Sequence, residues 1–199
     1  AAAPVAREEN EQPGRFQVMR DGSHSSEAVT VRLETGGSAI PGTHYQTLPT
    51  SVTIPKDERA VPVWVRPVSD GVPQGQRAVT LTALPDPAYV LGESPSATVR
   101  LLDKPYDDWR FRKLNDPDGP QSGLDGDPDG DNAPNRIEFQ EGTDPENDAD
   151  ARSRIDLKFA DGGVVLEYTQ RALAAFLEEQ IAYATNLDPG DWRDLPVPA

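Results

Sequence analysis

Four carboxylates in the stretch 127–138 are spaced to bind a hard metal ion. In a tightly turned loop alternate side chains point inward, and a residue in the first turn of the following helix can close the ring. On a twelve-residue calcium loop the stretch places ligands at positions 1, 3, 5, 7, 9 and 12. The predicted ligands are the side chains of Asp127, Asp129, Asp131, Asn135 and Glu138 and the carbonyl oxygen of Ala133. Because a bidentate Glu138 gives about six or seven oxygens, the spacing predicts a Ca²⁺ site.

Two residues depart from the EF-hand form of this loop. Asn132 occupies position 6, where glycine is usual, and asparagine tolerates the left-handed conformation better than most residues. Pro134 at position 8 lacks the N–H that would pair with a second loop. We therefore expect a single unpaired loop without a helix leading directly into it. Asp125 and Asp144 are weaker candidates, as outer ligands.

The longer stretch 109–145 resembles the thrombospondin type 3-like calcium segments of bacterial secreted proteins. It combines the aspartate-rich core with a short helix around Phe139 and a closing Gly142-Thr143-Asp144-Pro145. Gly142 is expected to cap that helix and Pro145 to prevent its continuation. The resemblance implies a calcium-binding connector and an extracellular location.

The negative charge of the chain is concentrated around this loop. The net charge is −15, and residues 103–150 contain 15 acidic and 5 basic residues, a net charge of −10. Such a block attracts divalent cations and repels phosphate backbones and anionic lipids, so nucleic acid and membrane surfaces are poor partners, and we expect no nucleic acid as partner. No apolar run is long enough to span a membrane. A solvated acidic linker is the alternative interpretation of the block.

The elements before the acidic segment are predicted to be short strands. Apolar and polar residues alternate in several stretches separated by turns, and no helical period is present. The predicted strands are 15–20, 29–33, 51–55, 61–66, 79–84 and 97–102. They indicate an all-β fold, an antiparallel sandwich of the immunoglobulin-like type. Pro62 predicts an edge or bulged position for its strand, and residues 107–114 predict a short helix with acidic residues first and cations last.

Residues 5–103 resemble a Calx-β domain. The resemblance is carried by Pro13-Gly14-Arg15-Phe16-Gln17-Val18-Met19-Arg20, by Gly37-Ser38-Ala39-Ile40-Pro41-Gly42-Thr43-His44-Tyr45 and by Tyr89-Val90-Leu91-Gly92. Domains of this family in exchangers bind calcium through an acidic cluster at one end of the sandwich.

Most of that acidic cluster is missing from the sequence. Glu8 matches the early glutamate, and Asp70 and Asp103 are retained. Neutral or basic residues stand at the other family positions, namely His44, Gln74, Gln76 and Lys104. Since calcium takes six to eight oxygens, we interpret this domain as a scaffold.

The C-terminal residues predict a small β unit. Residues 154–168 predict a hairpin turning at 161–163. Residues 171–184 fit either a helix or a strand. Arg171 and Trp192 resemble the pattern of bacterial C-terminal domains that follow such calcium segments, which favours a strand at 177–184. About 45 residues bury little core alone, so we expect docking or a strand from a neighbour.

No catalytic motif is apparent, and the sequence predicts a protein that is not an enzyme. It contains no cysteine and two histidines, His24 and His44, which are expected to be solvated loop residues remote from any hydrolase or zinc-protease motif. Trp64, Trp109 and Trp192 lie in three separate segments, so packing is favoured over a sugar-binding platform.

These patterns divide the chain into a sandwich (1–103), an acidic calcium-binding connector (104–150) and a small C-terminal β unit (151–199) that could be incomplete. The predicted function is a secreted or cell-surface structural or adhesive protein that binds Ca²⁺. Its predicted partners are copies of itself, forming a filament or surface layer, or another surface protein. The predicted role of calcium is to stiffen the connector. The alternative is a carbohydrate-binding or targeting module of a larger secreted enzyme, with a glycan as partner.

Overall fold

The computed structural model describes residues 1–21 and 26–150 in full and the backbone of four further strands, 155–160, 163–168, 182–183 and 193–194. The chain forms two compact units, Ala1–Ser122 and Gly123–Ala199. No helix in these described parts is long and apolar enough to cross a membrane.

The first unit is a β-sandwich followed by one helix. Its seven strands are short, as the alternating patterns predict. They are β1 (Val5–Arg7), β2 (Gly14–Met19), β3 (Val29–Gly36), β4 (Ser51–Ile54), β5 (Ala60–Val65), β6 (Arg77–Ala83) and β7 (Ser96–Leu102). Helix α1 (Pro105–Lys113) begins two residues after β7, with Pro105 at its first position and acidic residues in its first turn.

The sandwich consists of a five-stranded sheet and a two-stranded ribbon. The sheet has the strand order β1-β7-β6-β3-β4, and β2 pairs with β5. All pairs are antiparallel except β1 with β7, which run parallel with Arg7 opposite Leu102. The predicted all-β sandwich is therefore confirmed. Strand β1 was not predicted, because three residues are too few to show an alternating pattern.

The core lies between the two layers and is built from the inward residues of both. Phe16, Val63 and Val65 of the ribbon are almost fully buried, as are Val79 and Val99 of the sheet. Pro62 lies in β5, which pairs only with β2 among the strands described. The predicted edge position of Pro62 is thus confirmed, since proline cannot donate to a second ladder.

The second unit begins with the acidic loop and continues into helix α2 (Asn135–Glu141). Gly142 ends this helix in the left-handed conformation with φ of 79°, as predicted for a glycine cap. Strands β8 (Ile155–Ala160) and β9 (Gly163–Tyr168) form the predicted hairpin. Strand β10 (Ala182–Tyr183) pairs with β11 (Arg193–Asp194) and overlaps the strand expected at 177–184. Arg171 and Trp192, on which the predicted resemblance of this part rests, lie outside the described residues.

Candidate metal centre

The three aspartates of the acidic loop converge as their spacing predicts. One carboxylate oxygen each of Asp127, Asp129 and Asp131 lies within 4.8 Å of the other two. In the part of the chain that the structure describes, this is the one group of three or more potential ligands that meets this distance. All three side chains are partly buried, so the loop holds negative charges close together away from bulk water.

Backbone amides of the loop fix the aspartates in place. Asp127 accepts hydrogen bonds from the N–H groups of Gly130 at 2.9 Å and Asn132 at 3.1 Å. Asp129 accepts from the N–H of Asp131 at 3.3 Å, and Asp131 from that of Ala133 at 2.6 Å. The chain can turn this tightly because Gly130 and Asn132 have φ angles of 76° and 72°. The left-handed conformation expected at Asn132 is therefore confirmed.

Glu138, in the first turn of α2, lies near enough to the aspartates for their charges to affect its pKa, but it is not a member of the group within 4.8 Å. Its side chain is 1% exposed, and its Oε1 accepts a hydrogen bond from the Thr143 hydroxyl at 3.4 Å. Its Oε2 is buried and has no hydrogen-bond partner among the described residues, and the same holds for Oδ2 of Asp129 and Oδ2 of Asp131. Buried carboxylate oxygens are normally satisfied, so these three atoms fit a bound cation.

The electrostatics of the centre also favour a cation. The pKa of Glu138 is raised to about 7, first by burial and then by the negative charges of Asp129 and Asp131, against a smaller lowering by the Thr143 hydrogen bond. Burial likewise raises the pKa of Asp129, the hydrogen bond from the Asp131 backbone N–H lowers it in part, and the charges of Asp131 and Asp127 raise it by smaller amounts. These shifts show that, without a counter-charge, the folded loop resists full ionisation.

The remaining predicted ligands occupy different surroundings. Asn135 is fully buried at the start of α2 and donates its side-chain amide to the carbonyl of Gly123 at 2.8 Å. The carbonyl role of Ala133 stays a prediction. Asp125 is exposed and ion-paired with Arg136, which reduces its value as an outer ligand. Asp144 follows the helix cap and is half-buried.

The donor set fits calcium better than other biological metals. It consists of carboxylate oxygens, with the Asn135 amide as a further predicted ligand, and contains no cysteine or histidine among the described residues. Hard oxygen donors in irregular geometry suit Ca²⁺, whereas Mg²⁺ demands a near-ideal octahedron and zinc prefers nitrogen and sulfur. The bound ion would supply the positive charge that the buried oxygens lack.

A second acidic group lies at one end of the sandwich. Glu8 directly follows β1 and Asp103 directly follows β7, and because these strands run parallel their ends adjoin. Asp70 and Asp107 contribute to the same electrostatic field. Glu8 is 1% exposed, and within the part of the chain that the structure describes neither of its carboxylate oxygens has a hydrogen-bond partner. Burial, followed by repulsion from Asp103, Asp70 and Asp107, raises its pKa to about 7.

The other carboxylates of this group are already engaged. Asp103 accepts the backbone N–H groups of Gln74 at 2.8 Å and Gly75 at 2.7 Å. Asp107 is ion-paired with Arg110 at 2.6 Å, and Asp70 accepts the Gln74 side-chain amide at 3.0 Å. The arrangement therefore suits a proton on Glu8 better than a cation shared among the four.

Two features of this end of the sandwich were not predicted. The first is that Asp107, in the first turn of α1, is one of the charges that raise the pKa of Glu8. The sequence indicated an acidic first turn for this helix but not its proximity to Glu8. His44 was expected to be solvated, but it is 5% exposed and its Nδ1 accepts the N–H of Ile40 at 2.8 Å. That expectation was wrong because a short turn folds the histidine back onto its own backbone. Burial lowers the pKa of His44, and Arg77 adds to this effect. His24 lies outside the described residues.

Among known proteins, this chain is similar to several whose structures have been solved. No family profile matches the sequence, and no curated protein does. Calcium binding domain CBD12 of CALX1.1 is 22% identical, with a TM-score of 0.44 over 50% of this chain and 41% of that one. CBD12 from CALX1.2 is 20% identical over 50% and 40%, with the same TM-score. The apo form of the Calx CBD1 domain is 20% identical over 51% and 90%, again at 0.44. The chain thus spans about two fifths of the two CBD12 structures.

Proposed function

We propose that the protein is an extracellular, calcium-binding structural protein that assembles with copies of itself, and that one Ca²⁺ is bound between Asp127 and Glu138. The convergence of three aspartates within 4.8 Å of one another carries the proposal. The buried, unpartnered Oε2 of Glu138 supports it, because a cation satisfies that atom and a solvated linker leaves it without a partner.

The form of the loop supports the extracellular part of the proposal. The loop is single and carries Pro134 where a partner loop would pair. Extracellular calcium modules bind at roughly 10⁻⁴ to 10⁻³ M. That range matches the calcium outside a cell and lies far above the level inside it.

Self-assembly is supported by the small sheets of the second unit. Strands β8 and β9 form a two-stranded sheet, and so do β10 and β11. Isolated two-stranded sheets are marginally stable in water. Among the strands described, each of these four has one partner, so each sheet can accept a further strand along its edge.

The alternative, a carbohydrate-binding or targeting module, retains one supporting observation. Trp64 is 41% exposed, as a sugar-stacking residue must be. Trp109 is 1% exposed and belongs to the core. Trp192 lies outside the described residues. A single exposed indole makes this the weaker proposal.

Calorimetric titration with CaCl₂, together with thermal unfolding and sedimentation in calcium and in chelator, tests the proposal. We expect one calcium per chain, a higher melting temperature in calcium, and species larger than a monomer. An unchanged melt would contradict the calcium site, and a monomer at all concentrations would contradict assembly. A stoichiometry of two would assign a second ion to the group around Glu8. Binding on a glycan array would favour the alternative.

A further inference from the structure

The ribbon formed by β2 and β5 has a charge opposite to that of the whole protein. Residues 14–20 and 59–66, which span the ribbon and its two ends, contain four arginines and no acidic residue, in a chain of net charge −15. The arginines are Arg15, Arg20, Arg59 and Arg66. This local excess of positive charge is unexpected in so acidic a chain.

The outward side of this ribbon, which we call the arginine face, is accessible. Strand β2 contributes Arg15, Gln17 and Met19 to this face. Strand β5 contributes Pro62 and Trp64, and Arg66 follows directly after it. Met19 is 69% and Trp64 41% exposed. Within the described part of the chain, Arg15, Arg59 and Arg66 take part in no ion pair.

Arg15 and Trp64 form the centre of the arginine face. They lie opposite each other in the ribbon, and the Arg15 guanidinium lies over the indole ring at 5.3 Å from its centroid. Stacking holds the guanidinium in a fixed position. The face thus presents a pre-oriented cation beside an exposed aromatic surface, which are residue types that are enriched at the centres of protein interfaces.

We propose that the arginine face binds the acidic segment, residues 103–150, of a second copy of the chain. That segment carries a net charge of −10, and its residues Asp116 and Asp118 are exposed and lie outside the calcium loop. The charge complementarity selects this occupant, because opposite potentials steer association and fix its register. The inference rests on the self-assembly part of the proposed function.

An interface of this kind joins two different surfaces. When the contact forms twice about a two-fold axis, it closes a dimer. When it forms once between each pair of neighbours, it is heterologous and generates a ring or an open filament, according to whether the rotation closes. An open filament keeps a free arginine face at one end and a free acidic segment at the other.

Sedimentation velocity of the full chain, with calcium held constant, tests the arginine face. We expect Arg15→Glu/Arg66→Glu to weaken association by roughly tenfold or more, and raising salt from about 0.05 to about 0.5 M to weaken the wild type similarly. The matched control is Arg32→Glu/Arg100→Glu, which makes the same change in net charge at exposed positions of the other sheet. Thermal unfolding of each variant in chelator, which follows the sandwich where the substitutions lie, shows whether it is folded.

A charge exchange identifies the occupant. Asp116→Arg/Asp118→Arg is expected to associate with Arg15→Glu/Arg66→Glu when the two variants are mixed, although each alone associates weakly. The inference would be overturned if Arg15→Glu/Arg66→Glu associated as strongly as the wild type. It would also be overturned if the control variant lost association to the same extent. Failure of the mixture to associate would overturn the choice of the acidic segment. If the wild type is monomeric and its arginine face binds an anionic polysaccharide, the second copy is not the partner. Calcium binding that is unchanged in that case would show that the proposed metal site is correct although the inference about the face is not.

Discussion

Glu8 and Glu138 are two buried glutamates whose neighbours determine whether a proton or a metal ion neutralises them. Each is 1% exposed, has a pKa raised to about 7 and keeps an oxygen without a hydrogen-bond partner. Their neighbours differ. Glu138 faces two aspartates whose own oxygens are partly free, whereas the carboxylates around Glu8 are bound by amides and by an arginine. The first arrangement suits a metal ion and the second a proton.

Replacing Glu138 by glutamine tests its role as the closing ligand. Since an amide cannot supply a bidentate carboxylate, Glu138→Gln is expected to lower calcium affinity at least about tenfold. In chelator at pH 8 the same variant is expected to be more stable than the wild type, because no buried charge must form. Calorimetry and urea unfolding measure the two effects. Glu146→Gln, an exposed change in the same segment, is the control, and equal losses in both variants would contradict the assignment.

The pH dependence of stability tests Glu8. Its pKa rises from 4.5 to about 7 on folding, so the folded protein holds a proton that the unfolded chain has lost. Stability should therefore fall between about pH 4.5 and 7 and then level off, by about 3 kcal/mol in total. The difference between wild type and Glu8→Gln in urea unfolding at each pH isolates this contribution. Glu9→Gln, at the exposed neighbour, should show no such trend, and a flat difference for Glu8→Gln would refute the prediction.

At the scale of elements, the close approach of β2 to β7 determines how tightly the two layers pack. A Cβ added to Gly14 would lie 2.5 Å from Cγ1 of Val99 and 3.2 Å from Cβ of Ala6. Such separations require the neighbouring core to shift. Gly36, also in a strand, has nothing within 4 Å of the same added atom.

Gly14→Ala is accordingly expected to destabilise the sandwich by about 1 to 3 kcal/mol through overpacking. Gly36→Ala, the control, should be neutral or slightly stabilising, because alanine restricts the unfolded chain. Thermal and urea unfolding of both variants measure the difference. Equal stability of the two would show that the ribbon does not pack against β7 as closely as described.

The sequence predicts strands and the loop well because both depend on local spacing. Alternation located six strands of the sandwich, and the aspartate spacing located three side chains that converge. The pairing of β1 with β7 and the recruitment of Asp107 depend on contacts between residues about 95 positions apart, which no local pattern encodes. The burial of His44 depends on one turn, whose hydrogen bond to Ile40 cannot be inferred from residue types alone.

On the scale of the whole molecule, the division into two units predicts separable behaviour. Residues 1–122 contain the complete sandwich core and α1, and the calcium loop lies outside them. A fragment of these residues is expected to fold cooperatively and to melt at the same temperature with calcium or chelator. The full chain should show a second, calcium-dependent transition. Calorimetric scans of both proteins check this, and a calcium-dependent melt of the fragment would instead reveal an ion at the Glu8 group.

The parallel pairing of β1 with β7 also determines how the first unit bears mechanical force. Tension applied at residue 1 and beyond residue 122 pulls the two strands lengthwise in opposite directions. The hydrogen bonds between them, including Arg100 N to Pro4 O at 2.8 Å and Glu8 N to Leu102 O at 3.0 Å, are then loaded together in shear. An antiparallel pair pulled from adjacent ends would open one bond at a time. We therefore expect the first unit to resist tension at its two ends better than a sandwich in which the same two strands run antiparallel.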